Sequence, residues 1–68
     1  MISYNKLWKL LIDKGMKKSD LREITGISTS SLAKLGRNEP VSLTILLKIC
    51  NELECDIGDI MEVISEME

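Results

Sequence analysis

In the stretch ITGISTSSLAKLGRN, residues 24–38, Gly26 is followed two positions later by four hydroxyl side chains in a row, Ser28, Thr29, Ser30 and Ser31. A glycine at this place supplies the left-handed backbone that closes one helix and turns the chain. Ser28 is then a good N-terminal cap for the next helix, because its hydroxyl can accept one of the free first-turn N–H groups. Leu32 and Leu35, three apart with small Ala33 between them, mark that helix's inward face. Upstream, Leu21 and Ile24 give Lys18–Thr25 an inward side, and Ile27 plugs the core directly after the turn. The stretch therefore predicts helix, tight turn, helix.

The same reading extends to both sides. Ser3 is placed to cap a first helix in which Tyr4, Leu7, Trp8, Leu11 and Ile12 recur at helical spacing, and Gly15 ends it. Residues 36–40, with Gly36 and Pro40, break the chain into a loop. Ser42 caps a fourth helix, expected to be the most buried, with Leu43, Leu46, Leu47, Cys50 and Leu53 on a stripe widened by Ile45 and Ile49. Asp56 caps a predicted fifth, with Ile57, Ile60, Met61 and Ile64 on one face and Val63 and Met67 on another. The expected fold is all-α, a compact five-helix bundle forming a single domain over residues 1–68.

Sixty-eight residues suit one domain with little apolar area to spare. At 44% hydrophobic and 29% charged, the chain reads as soluble and globular. Its apolar runs are far too short to span a bilayer, and its first residues lack the basic and apolar regions of a signal peptide, so a cytoplasmic location is expected and no membrane partner. Cys50 and Cys55 fit reduced small hydrophobes better than a disulfide, and without histidine they cannot complete a structural zinc site alone.

The net charge of −2 conceals an asymmetry. Residues 1–39 carry eight basic against four acidic side chains, a net of +4, and residues 40–68 one basic against seven acidic, a net of −6. A basic half can approach a polyanion while the acidic half faces away, although two solvated faces would give the same count.

A helix, a glycine turn and a helix that opens on hydroxyls is the layout of a helix-turn-helix, whose second helix enters the DNA major groove N-terminus first. Short hydroxyls there can meet base edges without holding the backbone away, or bind phosphate beside free N–H groups. Lys34, one turn further, can reach a guanine edge or a phosphate. Read alone, the run is equally compatible with Ser28 as a cap and Thr29, Ser30 and Ser31 as solvated side chains.

Residues 15–62 resemble the helix-turn-helix domain of the phage Cro and cI repressor type, or XRE family, with helices 2 and 3 as the motif of a lambda-repressor-like domain. Leu21, Gly26, Ile27, Ser28, Leu32 and Leu35 carry the likeness, and VSLTILLKICNELECDIGDI, residues 41–60, is similar to the closing helices of its short regulators. The resemblance implies a sequence-specific transcriptional regulator of repressor type that binds double-stranded DNA. By the same likeness Lys18 takes the place of a phosphate-touching glutamine beside Lys17, and Thr29, Ser30 and Lys34 read bases. Ser31 neighbours the DNA backbone, and Arg37 and Asn38 touch phosphate from the following loop. Arg22 departs from the pattern, standing where the family prefers alanine between helices 2 and 3, so it either extends outward or loosens their crossing.

Members of this type bind as two-fold dimers, and Ile60, Val63, Ile64 and Met67 are the expected homodimer contact. The competing expectation is a protein interaction module on the same fold. Enzymatic chemistry is not expected: there is no histidine, no glycine-rich phosphate loop and no paired acid and base. No cofactor, metal or small-molecule substrate is called for.

Overall fold

In the computed structural model, residues 1–65 are described, and they run β1 (Ile2–Ser3), α1 (Asn5–Asp13), α2 (Lys18–Thr25), α3 (Thr29–Gly36), α4 (Leu43–Leu53), a single 3-10 turn (Ile57–Asp59) and β2 (Glu62–Val63). Four helices stand where sequence periodicity places them. Gly15 (φ 69°) ends α1 with paired bonds, its own N–H to Ile12 O at 3.0 Å and Met16 N–H to Leu11 O at 2.8 Å, which satisfies two orphan carbonyls. The α4 cap forms as expected, Ile45 N–H donating to Ser42 Oγ at 3.3 Å. At the other end of α4, Glu54 takes the left-handed conformation (φ 54°) that glycine usually supplies.

Two expectations about the ends are corrected. The segment after Asp56 is not a fifth helix, and the fold is not wholly α. Asp59 Oδ2 accepts the Asp56 N–H at 2.9 Å and so closes one turn, after which the chain drops Ile60 into the core and becomes extended. Gly58 makes a helix interior there costly by about 1 kcal/mol relative to alanine, and the β-branched Val63 and Ile64 favour a strand. The deciding partner is the N-terminus. Antiparallel pairing sets Ile2 against Val63 and Ser3 against Glu62, and Ile64 N–H donates to Met1 O at 2.8 Å. Ser3, expected as a helix cap, therefore lies buried in β1, with Tyr4 at the N-cap position, although its hydroxyl still accepts the Asn5 N–H at 3.2 Å.

One core joins Tyr4, Leu7 and Leu11 to Leu21, Ile27, Leu35 and Ile60, with α4 supplying Leu46, Ile49, Cys50 and Leu53, more buried residues than any other helix. Each full burial of a large apolar side chain is worth roughly 1.5–3 kcal/mol. Ile12, Ile24, Leu43 and Leu47, all expected inward, are instead exposed. The core of so short a chain covers only one narrow stripe of each helix, and side chains 100° off that stripe reach water. Both cysteines are free thiols, Cys50 buried and Cys55 half-buried.

Candidate nucleic-acid interface

Leu21, Ile27 and Leu35 are all buried, and these three anchors hold α2, the turn and α3 on the core as a unit. Gly26 closes α2 at φ 72° with its N–H on Arg22 O at 2.9 Å. Thr25 staples the turn from within: its hydroxyl donates to Leu21 O at 2.7 Å and accepts the Ile27 N–H at 3.4 Å. At the start of α2 the Asp20 carboxylate reaches back to the Lys17 N–H at 2.8 Å. Arg22 is exposed, so its long side chain extends into solvent and leaves α2 and α3 in contact.

The first turn of α3 divides the hydroxyl run by role. Ser28 Oγ accepts the Ser31 N–H at 3.1 Å, donates to Ser31 Oγ at 3.0 Å and shares a hydrogen bond with Ser30 Oγ at 3.2 Å. Ser28 is thus engaged in the cap, with Ser31 half-buried beside it, while Thr29 and Ser30 stand exposed. Lys34 is exposed one turn along the same helix. Lys17 and Lys18 are exposed at the start of α2, and the Lys18 ammonium rests over the Trp8 ring, 4.4 Å from its centroid. A cation so placed is attracted to the ring face yet keeps its head in water.

The loop after α3 holds contacts that local sequence reasoning missed. Arg37 meets Glu39 in a two-point fork, Nε to Oε2 at 2.8 Å and Nη2 to Oε1 at 3.4 Å. The hydrogen bond and charge of Glu39 push the Arg37 guanidinium up, and the hydrogen bond from Arg37 holds the Glu39 carboxyl below the usual range, with the charges of Arg37 and Lys34 adding to it. Asn38 adopts φ 57° and its Oδ1 accepts the Tyr4 N–H at 3.0 Å, so its side chain turns the loop and ties it to α1. The Tyr4 hydroxyl donates to Glu39 O at 2.9 Å. Tyr4 had read only as an apolar helix position. Nothing in the neighbouring sequence points to a clamp on residues 34 and 35 positions away.

Of the residues expected at a partner contact, Ile60 is 0% exposed in the chain's own core and Val63 is 80% exposed on β2. Ile64 follows it at the surface, and Met67 lies outside the described residues. Among the described residues no helix is long and apolar enough to cross a membrane.

Residues 6–66 match the Cro/C1-type HTH DNA-binding domain family. A solved crystal structure of the transcriptional regulator VanUg is similar at 65% identity and a TM-score of 0.92, over 96% of this chain and 87% of that one. No curated protein matches.

Proposed function

Because the chain belongs to the Cro/C1-type helix-turn-helix DNA-binding domain family, we propose that it is a sequence-specific transcriptional regulator of double-stranded DNA, acting as a repressor in the cytoplasm. The observation that carries the reading is the exposed first turn of α3: Thr29 and Ser30 stand free of the core, Lys34 follows on the same helix, and Arg37 on the loop beyond. In this reading α3 enters the major groove N-terminus first, and Thr29, Ser30 and Lys34 meet base edges. Ser28 and Ser31 hold the turn that presents them. Lys17 and Lys18 on one side, and Arg37 and Asn38 on the other, approach the phosphates that fix register. The likeness to VanUg, itself a transcriptional regulator, supports the regulatory role.

Two successive major grooves lie about 34 Å apart. Among the described residues there is one helix-turn-helix, so reading both grooves takes two copies of the chain. Val63 and Ile64, at the exposed end of β2, are the proposed homodimer contact. Ile60, buried in the core, is not part of that contact. Exposed Leu43 and Leu47 on α4 would suit the competing reading, a protein interaction module.

Selection of bound duplexes from a random DNA library by the purified chain, followed by sequencing, tests the proposal. An enriched inverted repeat with half-sites about one helical turn apart is expected. A lone half-site would remove the dimer, and no enrichment from folded protein would remove DNA reading.

A further inference from the structure

Resting on the reading of Arg37 as a phosphate-facing residue, we infer that Glu39 is a built-in competitor of nucleic-acid phosphate for Arg37, and so a determinant of how weakly this protein holds non-cognate polyanions. The fork between the two side chains, at 2.8 and 3.4 Å, has the planar geometry with which a guanidinium also grips phosphate. A phosphate arriving at Arg37 must displace that carboxylate or bind beside it. Neither is free of cost, because the carboxylate repels the phosphate and loses a partner when displaced.

The Glu39 backbone is also held in place. Its N–H donates to Lys34 O at 2.9 Å and its carbonyl accepts the hydroxyl of Tyr4, which is 1% exposed. Pro40 follows and restricts the Glu39 backbone to extended conformations. The half-exposed side chain can swing, but its point of attachment is fixed, so the carboxylate stays near Arg37 and Lys34. Arg37 and Glu39 are both surface side chains, so the competition is modest for any one phosphate. A cognate site that engages α3 as well can overcome it. A non-cognate polyanion that offers charge alone meets it undiminished.

The test compares wild type with Glu39→Gln, which keeps the shape and an accepting oxygen but removes the charge, and with Glu39→Ala. Two probes are used: heparin, a sulfated polyanion, and a mixed-sequence 20-base-pair duplex. Both variants are expected to elute from heparin at higher salt than wild type. They should bind the duplex roughly 2- to 5-fold more tightly per chain at low salt, with the gap closing as salt rises. In an Arg37→Ala background the gain should shrink to less than half. An equal gain in that background, or no gain on either probe, overturns the competition. Heparin separates this outcome from the parent reading: if the variants gain on heparin while neither they nor wild type bind any duplex, DNA binding fails and the competition stands.

Discussion

Tyr4 does the work of a hinge pin at the residue scale, closing the end of α1 with its backbone and the loop after α3 with its hydroxyl. Its N–H is given to Asn38 Oδ1 and its O–H to Glu39 O, 34 and 35 residues away. Tyr4→Phe keeps the ring in the core and removes one such bond, so a loss of about 0.5–1.5 kcal/mol is expected from urea denaturation. Burial pushes the Tyr4 phenol up, against a smaller opposing effect of the Val41 backbone, and burial likewise raises the Cys50 and Cys55 thiols. All three groups are neutral when protonated, and the fold holds those protons more tightly than the unfolded chain does. Their contribution is complete below the unfolded values of about 8.5 for thiols and about 10 for the phenol, and is lost as pH rises through the folded values above them. The melting temperature should therefore decline through the alkaline range, with a shallower decline above about pH 10 in Tyr4→Phe. A Tm unchanged up to pH 11 would contradict the burial of these groups. Lys34 is the opposite kind of residue, exposed and outside the core. Lys34→Ala should leave stability within about 0.5 kcal/mol and weaken specific DNA binding by about 1–3 kcal/mol, read by melting and by titration with a selected duplex.

At the scale of elements, the turn between α2 and α3 was legible because its chemistry is local. A glycine at φ 72°, a hydroxyl cap two residues later and leucines at helical spacing are each set by neighbours within four positions. A Cβ added at Gly26 would meet nothing within 4 Å, so a substitution there strains the backbone alone. Gly26→Val is expected to lose about 1–2 kcal/mol, visible as a lower urea midpoint, and an unchanged midpoint would contradict the left-handed turn. The predicted fifth helix was misread for the complementary reason. Ile57, Ile60 and Ile64 do recur at helical intervals, but the backbone of residues 62–64 is satisfied by Met1 and by Ile2–Ser3, some sixty residues earlier. Helical periodicity carries no information about a strand partner that distant. The same limit hides the bonds from Tyr4 to Asn38 and Glu39, which span 34 and 35 residues.

For the molecule as a whole, the small sheet brings the two ends of the described chain together and separates two apolar residues that looked alike. Ile60 is sealed in the core and Val63 stands exposed on β2. Ile60→Ala should cost about 2–5 kcal/mol on chemical denaturation, as a cavity in the core does. Val63→Asp should change stability far less and, if β2 forms the homodimer contact, shift sedimentation toward the monomer. Equal destabilisation by both would contradict the placement of Ile60 in the core and Val63 at the surface. Lys6 belongs to the basic half of the sequence yet donates to Gly58 O at 3.1 Å and approaches Glu62 at 3.9 Å. Part of that half's charge therefore ties the chain's ends and is not directed at the proposed DNA face.

The sequence by itself determined the four helices, the Ser28 and Ser42 caps, the left-handed turn at Gly26 and the hydroxyl-first opening of α3, because each follows from side chains within one helical turn of one another. Tertiary structure alone decided that residues 62–63 pair with Ile2–Ser3 and that Ile60 belongs to the core. It also decided that Leu43 and Leu47 face water and that the loop after α3 is clamped by Tyr4. Those features arise where chain segments distant in sequence compete to satisfy the same backbone groups and cover the same apolar surface, and the outcome of that competition is set only when the whole chain has closed on itself.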